Sequence, residues 1–218
     1  FDINAQDPNL GPRIQRHSRD SQTPLVSSPS DLAEAADILF SAVTASSARG
    51  AAEQATPYLL PRHLYVDINS ISPNLKREID SLIRAAGAGF VEAAVMAPVP
   101  PYSHRVPMLL GGAAAQRLVE TLVPFGMRLE VVSEQVGMAV AVKMCRSIVV
   151  KGLEALLFEC VMGASKYGAE ERVFASLQES FPGLDWKKLA DYVVGRVVLH
   201  GERRARGMEE VAETLRSS

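Results

Sequence analysis

Short apolar runs alternate with amphipathic stretches in the first part of the chain, and this alternation limits the fold more than any other feature. Residues 37–43, 63–68, 89–95 and 128–132 are predicted strands, rich in β-branched residues. Apolar residues at helical spacing predict helices over residues 30–36, 46–58, 73–86 and 113–125. Because parallel strands need crossover connections, usually helices, the pattern predicts an α/β domain with a mostly parallel sheet.

Strand signals end near Gly137, and the rest of the sequence predicts helices alone. These are expected over residues 138–165, 170–180, 186–198 and 202–217, with a break near Gly201 between the last two. A chain of 218 residues is long enough for two domains. We therefore predict an α/β domain over residues 1–134 and an all-helical domain over residues 135–218.

The charge balance and the cysteines argue against several classes of partner. Lys plus Arg number 23 and Asp plus Glu 25, a net charge of -2, so no strong positive field would attract nucleic acid or an anionic membrane. No apolar run approaches the ~20 residues of a membrane-spanning helix, and no signal peptide is recognisable. Cys145 and Cys160 lack metal-ligand spacing, so we expect free buried thiols, no metal and a cytoplasmic location.

Asp2 is a candidate ribose-binding residue. Residues 1–4 read as the end of a strand, where dinucleotide-binding folds place a carboxylate that accepts the ribose hydroxyls. Such a residue normally follows a Gly-x-Gly-x-x-Gly turn by about 20 residues, and nothing lies upstream in this chain. An exposed aspartate after a strand explains Asp2 equally well, and we expect the natural N-terminus to be missing.

Small polar side chains follow the predicted strand that ends at residue 68. In open α/β sheets, ligands bind at the carboxyl ends of the strands. Ser72 and Pro73 are expected to be the N-cap and the first residue of the next helix. Asn69 and Ser70 are not needed for that cap, so we predict that they contact a ligand.

Lys143 lies early in an otherwise apolar helix, where burial of an ammonium group is costly. At helical spacing it lines up with Ser147, Lys151 and Glu154, and Arg146 lies beside it. Lys151 and Glu154 are interpreted as an ordinary ion pair on a solvated stripe. For Lys143 and Arg146, a solvated stripe and a functional site remain equal alternatives, because a partly buried lysine is suited to proton transfer.

Residues 200–206 concentrate positive charge near the end of the chain. A solvated helix face is one explanation. The functional alternative is that His200 and an arginine such as Arg203 bind an anionic substrate, for which the planar guanidinium is suited. The other histidines have no triad-like context and no Gly-x-Ser-x-Gly elbow is present, so serine-hydrolase chemistry is disfavoured.

Taken together, these segments resemble the β-hydroxyacid dehydrogenase superfamily, the relatives of 3-hydroxyisobutyrate and 6-phosphogluconate dehydrogenase, over nearly the whole chain. Residues 67–73 resemble its Asp-x-Ser-Thr-x-x-Pro segment, residues 107–112 its stretch ending in Gly-Gly, and residues 137–147 its Gly-x-Gly-x-x-x-Lys-x-x-Asn-Asn helix. There is also a narrower resemblance, to a phosphogluconate-dehydrogenase-like subfamily without an assigned substrate. It lies in residues 94–101, 143–147, 151–156 and 179–186.

The resemblance implies a Rossmann-type nucleotide-binding domain, here without its first strand, glycine-rich turn and helix, followed by a helical substrate and dimerisation domain. It implies a homodimeric oxidoreductase that transfers hydride between NAD or NADP and a small hydroxy acid or related anionic alcohol. Lys143 falls on the catalytic lysine. The implied cofactor contacts, in which Asp2 favours NAD, are Asp2, Val43, Thr44 and Asn69. The implied substrate contacts are Asn69, Ser70, Met96, Ala97, Arg146, Ser147, His200 and Arg203.

Two departures from the family pattern bear on the substrate. Met96-Ala97-Pro98 stands where the family has Ser-Gly-Gly, and Arg146-Ser147 replaces its pair of asparagines. We therefore expect a substrate other than hydroxyisobutyrate or phosphogluconate, while Lys143 favours alcohol chemistry over imine reduction. The alternative is a naturally shortened, catalytically silent protein that dimerises through the long apolar helix over residues 138–165.

Overall fold

The computed structural model describes residues 1–216, apart from the side chains of residues 200, 203, 204, 206, 210 and 213. The chain divides into two compact units, Phe1–Val140 and Ala141–Ser218. The first is an α/β unit and the second is helical, which confirms the predicted fold class.

A five-stranded sheet forms the centre of the first unit, in the order β1-β2-β3-β4-β5. The strands are β1 Ile38–Ser41, β2 Leu64–Asp67, β3 Gly89–Val95, β4 Met108–Gly111 and β5 Leu129–Ser133. β1, β2 and β3 run parallel, β4 is antiparallel to β3, and β5 is parallel to β4. The mostly parallel sheet is confirmed. The sequence pattern does not predict β4, because Met-Leu-Leu-Gly contains no β-branched residue.

The α-helices that accompany the sheet are α1 Gly11–Asp20, α2 Pro29–Ala35, α3 Ala48–Ala55, α4 Pro73–Ala85, α5 Val99–Tyr102 and α6 Ala115–Leu122. Short 3₁₀ turns lie at Ala45–Ser47, Thr56–Tyr58, Ser103–Arg105 and Val123–Phe125. Helices α2, α3, α4 and α6 occupy the predicted segments, whereas α1 and α5 are not predicted by the pattern. The expected cap of α4 is confirmed, since the Leu75 N–H donates to the Ser72 hydroxyl at 3.3 Å.

Residues 1–4 are not in a strand, and residues 2–5 form a turn, so the prediction that residues 1–4 end a strand is wrong. The Asn4 N–H donates to Asp2 Oδ1 at 2.8 Å, and the Ala5 N–H donates to the Asp2 carbonyl at 3.0 Å. An aspartate that bonds to the backbone two residues on stabilises a turn, which replaces the hydrogen bonds of a strand ladder. Asp2 therefore lies in a turn that precedes α1.

Apolar side chains cover both faces of the sheet. One face packs Leu39, Tyr65 and Phe90 against Ile79 and Ile83 of α4, all of them buried. The opposite face buries a second cluster, which includes Leu64, Val66, Val91, Leu110 and Leu118. These two layers hold the strands rigidly, and they thereby fix the positions of the polar residues at the strand ends.

Three helices follow β5, namely α7 Met138–Ser165, α8 Glu170–Ser180 and α9 Trp186–Arg216. α7 begins in the first unit and continues into the second. The predicted bounds of α7 and α8 are confirmed, but the predicted break near Gly201 is wrong, because α9 runs through that residue. A single glycine costs a helix only about 1 kcal/mol and keeps its N–H donor, so neighbouring residues can carry the helix across it.

The core of the second unit forms where α7 and α9 meet. Leu157 of α7 packs with Trp186, Ala190 and Val193 of α9, and the Trp186 ring lies edge-on to Phe181 with the ring centroids 5.9 Å apart. No helix in the described part of the chain, α7 and α9 included, has an apolar stretch long enough to cross a bilayer.

Candidate functional site

A row of polar side chains crosses the three parallel strands near their carboxyl ends. Ser41 of β1 is paired with Asp67 of β2, and Asp67 is paired with Glu92 of β3. Each residue comes two positions after a core residue of the face that α4 covers, and therefore points to that face. Together with Asn69 and Lys76, these residues form what we call the polar layer (Ser41, Asp67, Asn69, Lys76 and Glu92), and each is less than 9% exposed.

Asn69 ties the loop after β1 to the loop after β2. Its Oδ1 accepts the Val43 N–H at 2.7 Å, and its Nδ2 donates to Ser41 Oγ at 3.0 Å. Its own N–H donates to Asp67 Oδ1 at 2.8 Å. Asn69 is only 5% exposed. Its hydrogen bonds give it a structural role in holding the two loops together, which the sequence did not indicate.

The exposed residues of this edge come from the same two loops. Val43 is 42% exposed, and Thr44 and Ser70 are exposed as well. The Thr44 hydroxyl is hydrogen-bonded to the Ser47 hydroxyl at 2.9 Å. The structure thus brings together four of the predicted ligand contacts, Val43, Thr44, Asn69 and Ser70, at the carboxyl ends of two neighbouring parallel strands.

Lys76 lies inside the polar layer, although it belongs to a helix. Its Nζ donates to the Asp67 carbonyl at 2.8 Å and lies 3.2 Å from Asp67 Oδ1, and both side chains are 1% exposed. Desolvation lowers the pKa of Lys76, while the charges of Asp67 and Glu92 oppose that shift. Lys76 was not among the predicted site residues, although it occupies the same helical face as the buried Ile79 and Ile83.

Glu92 is fully buried and bonds to the first turn of α7. Its Oε1 accepts the Ala139 N–H at 2.8 Å, a contact that lies entirely within the first unit. Desolvation raises the pKa of Glu92, against the lowering effect of the Ala139 N–H and of Lys76. The second carboxyl oxygens of Glu92 and Asp67 have no hydrogen-bond partner within the described part of the protein.

Met96 and Ala97 directly follow β3 and are half-buried. The Met96 N–H donates to the Pro107 carbonyl at 2.9 Å and so extends the pairing of β3 with β4. Ala97 packs against the second apolar cluster. These two residues therefore lie at the edge of the sheet where the carboxyl ends of β1 and β2 also lie. The Met96 N–H is already hydrogen-bonded within the sheet, to the Pro107 carbonyl.

Apart from Asp2, which lies in the turn before α1, the other predicted site residues belong to the second unit. Lys143 and Ser147 are half-buried on α7, one helical turn apart, and Arg146 beside them is exposed. The predicted buried state of Cys145 is wrong, since this free cysteine is exposed, whereas the free Cys160 is half-buried. The side chains of His200 and Arg203 lie outside the described residues.

A buried carboxylate in the second unit has a partner that sequence spacing did not indicate. Glu154 of α7 is 4% exposed and lies 3.4 Å from Arg196 Nε of α9. The Arg196 guanidinium also lies over the Tyr192 ring, 5.2 Å from its centroid. Among the residues that the structure describes, no group of three or more His, Cys, Asp or Glu residues could hold a metal ion.

Comparison with known proteins places this geometry in a family. Residues 164–218 match the model of a domain of unknown function, DUF1932. An uncharacterized 28.5 kDa protein from Methanothermus fervidus, encoded in the 7S RNA 5′ region, is 33% identical over 186 residues, which are 84% of this chain and 68% of that protein. A conserved hypothetical protein from Sinorhizobium meliloti 1021 has a solved structure that is 38% identical, with a TM-score of 0.81 over 99% of this chain and 72% of its own.

A further solved structure decides the family. The conserved protein MTH1747 is 33% identical, with a TM-score of 0.76 over 92% of this chain and 75% of its own, and is described as being of unknown function with structural similarity to 3-hydroxyacid dehydrogenases. The chain belongs to the β-hydroxyacid dehydrogenase superfamily. The resemblance of the sequence to this superfamily is thereby confirmed.

Two more distant solved structures share the fold. The 3-hydroxyisobutyrate dehydrogenase of Mycobacterium tuberculosis is 20% identical, with a TM-score of 0.60 over 75% of this chain and 57% of its own. An imine reductase from Myxococcus stipitatus, solved in complex with NADP+, is 21% identical, with a TM-score of 0.54 over 88% of this chain and 67% of its own. At these identities the likeness establishes the architecture alone.

Proposed function

We propose that this member of the β-hydroxyacid dehydrogenase superfamily is an NAD(P)-dependent oxidoreductase that acts on a small hydroxy acid or related anionic alcohol. The observation that carries the proposal is the carboxyl edge of β1 and β2. There the Asn69 amide joins two strand-end loops and leaves Val43, Thr44 and Ser70 exposed. Open α/β sheets bind their ligands at such an edge.

The residues of this edge fit a nicotinamide nucleotide. Val43 offers an apolar surface to a ring, and the exposed Thr44 and Ser70 hydroxyls can bond to ribose or amide groups. When bound, the nicotinamide supplies the hydride-accepting or hydride-donating carbon. The hydrogen bond from the Val43 N–H to Asn69 holds the first loop in one conformation, so little ordering remains to be done when the cofactor binds.

The choice of cofactor is proposed to depend on the charge of Asp2, which lies in the turn before α1, because a carboxylate would repel the 2′-phosphate of NADP. The Asp2 carboxylate accepts the Asn4 N–H, which keeps it ordered in the N-terminal turn. A nearby arginine such as Arg13 would reverse the preference. Comparing the Kd values of NADH and NADPH for the wild type and for Asp2→Ser tests this proposal, since the ratio should move toward NADPH in the variant.

Lys143 is proposed as the residue that moves the proton. Its ammonium group would donate to the substrate oxygen during reduction, and its amine would take that proton during oxidation. Arg146 and Ser147 would bind the acidic end of the substrate, together with His200 and Arg203. Met96 and Ala97, which offer no side-chain donor, would shape the substrate pocket, so the anion would be bound mainly by the arginines.

Fluorescence titration with NADH and NADPH tests the proposal. Turnover of a panel of small hydroxy acids then tests the chemistry. We expect Lys143→Ala to lower kcat by about 10²–10⁴-fold, while Lys188→Ala, a matched exposed lysine of the second unit, leaves kcat unchanged. Unchanged turnover in Lys143→Ala, or no binding of either cofactor, would contradict the proposed function.

A second candidate function, a dimerising module, is favoured by an exposed apolar face of α7. Val142, Val149 and Leu156 recur at seven-residue spacing and are 41%, 68% and 67% exposed. We therefore propose a homodimer formed through the helical unit. Light scattering should give a dimer mass for the wild type and a monomer mass for the Val149→Glu, Leu156→Glu variant. A monomeric wild type would refute this part of the proposal.

The proposed compartment is the cytoplasm. The exposed thiol of Cys145 and the half-buried thiol of Cys160 are both free, and reduced thiols persist where glutathione and thioredoxin maintain them. Thiol titration of protein isolated from its native cells would give two reduced cysteines per chain if this is correct.

A further inference from the structure

The start of α7 is held by a side chain from a distant part of the sequence. The first N–H groups of any helix have no partner inside the helix. Here the buried Ala139 N–H donates to Glu92 Oε1 at 2.8 Å, across 47 positions of sequence. The residue just before the helix is Gly137 with a φ of +108°, which has no side chain to offer as a local cap. The strand therefore supplies the capping group.

The neighbouring strand leaves space for this carboxylate. A Cβ on Gly111 would overlap Glu92 Oε1 and would lie 3.0 Å from both Cγ and Cδ of that side chain. Gly111 is paired directly with Glu92 in the sheet. The first glycine of the Gly111-Gly112 pair is thus explained by the close approach of the Glu92 side chain.

Burial of this carboxylate is energetically expensive, which argues that a specific contact retains it. Glu92 is 0% exposed, and an apolar side chain of similar volume would avoid the cost of desolvation. The helix dipole favours a negative charge at the start of α7. The Lys76 charge favours the ionised state of Glu92 as well. Glu92 therefore caps α7 with a charged group, and the buried Lys76 of the polar layer favours that charge.

We infer that Glu92 is a positioning residue, whose carboxylate fixes the first turn of α7 and so orients Lys143 one turn further along the same helix. The inference rests on the proposed function only for the role of Lys143. The contact between Glu92 and α7 is independent of it. Loss of the cap lets the first turn fray, and a misplacement of about 1 Å in a catalytic group costs about 10²-fold in rate.

The test compares Glu92→Ala, Glu92→Gln and Gly111→Ala with a control, Glu130→Ala, which removes an exposed carboxylate from β5. Amide hydrogen exchange is measured over residues 138–140, and kcat and KM are measured with the hydroxy acid that the wild type turns over fastest. Glu92→Ala and Gly111→Ala should exchange about 10- to 100-fold faster there, because a hydrogen bond to a charged acceptor is lost. Their kcat should fall about 10²-fold with little change in KM.

Glu92→Gln keeps an oxygen acceptor for the Ala139 N–H but loses the charge, so its exchange should rise less than that of Glu92→Ala and its kcat should fall less. Equal losses in Glu92→Gln and Glu92→Ala would overturn the inference, as would unchanged exchange in Glu92→Ala. Faster exchange with an unchanged kcat would also overturn it. A wild type without NAD(P)-dependent turnover refutes the proposed function instead, because the exchange data then still report whether Glu92 holds the helix.

Discussion

Replacing Lys76 with methionine removes the cation of the polar layer while keeping most of the side-chain length. Lys76 Nζ bonds to the Asp67 carbonyl at 2.8 Å and lies 3.2 Å from Asp67 Oδ1, with both side chains 1% exposed. The substitution leaves Asp67 and Glu92 buried without their shared counter-charge. Removing one partner of a buried ion pair costs about 3–5 kcal/mol, and we expect the free energy of unfolding of the first unit to fall by that amount near neutral pH.

The assay must report the first unit separately, because the chain has two units and the only tryptophan, Trp186, lies in the second. Hydrogen exchange of the β2 and β3 amides in increasing urea gives the required local free energy. The double variant Lys76→Met, Asp67→Asn should recover part of the loss, since it removes one of the unpaired charges. A matched exposed substitution, Lys188→Met, should change stability by less than about 0.5 kcal/mol. A loss below about 1 kcal/mol in Lys76→Met would refute this account of the layer.

Three further predictions concern buried side chains of the first unit. Asn69→Ala should lower its stability by about 1–3 kcal/mol, because the Val43 N–H loses its acceptor, and should weaken NADH binding measured by fluorescence titration; unchanged binding would contradict the ordering role. Burial raises the pKa of Glu92 above its ordinary 4.5, so the folded state binds the Glu92 proton more tightly than the unfolded state does. The stability that this proton contributes is therefore lost as the pH rises above 4.5. Melting temperatures measured across this pH range should fall in the wild type and fall less in Glu92→Gln. His63 is 0% exposed, accepts the Leu60 N–H at Nδ1 and pairs with the Ala33 carbonyl through Nε2, both at 2.8 Å. His63→Leu should lower the stability of the first unit by about 1–3 kcal/mol, measured by hydrogen exchange of the β2 amides in urea, and a loss below about 0.5 kcal/mol would contradict this prediction.

Local patterns predicted most of the secondary structure of the first unit and little of its polar layer. The strands β1, β2, β3 and β5 and the cap at Ser72 follow from β-branched runs and from a Ser-Pro pair, which act over a few residues. The bond between Val43 and Asn69 spans 26 positions and that between Ala139 and Glu92 spans 47. Periodicity carries no information on such distances, because these partners meet only after the sheet has formed.

Misjudged segments had weak or misleading local signals. β4 lacks β-branched residues and is held by pairing with both of its neighbours. Residues 1–4 resemble the end of a strand in composition, but the chain turns at residues 2–5 and the Asn4 N–H bonds to the Asp2 carboxylate instead. Lys76 was overlooked because a lysine in a helix normally faces solvent. Its place on the face of Ile79 and Ile83 was the available signal that it is buried.

The Glu92 side chain fills the space that a side chain at position 111 would need, because the two residues are paired on antiparallel strands. This limits which pairs of residues the two positions can hold. A methyl group at position 111 would fill the space that the carboxylate now takes. Aspartate at position 92 is shorter by one methylene group and would vacate part of that space. We therefore expect the two positions to vary together: glutamate at position 92 should occur with glycine at position 111, and alanine at position 111 should occur only with a shorter side chain at position 92.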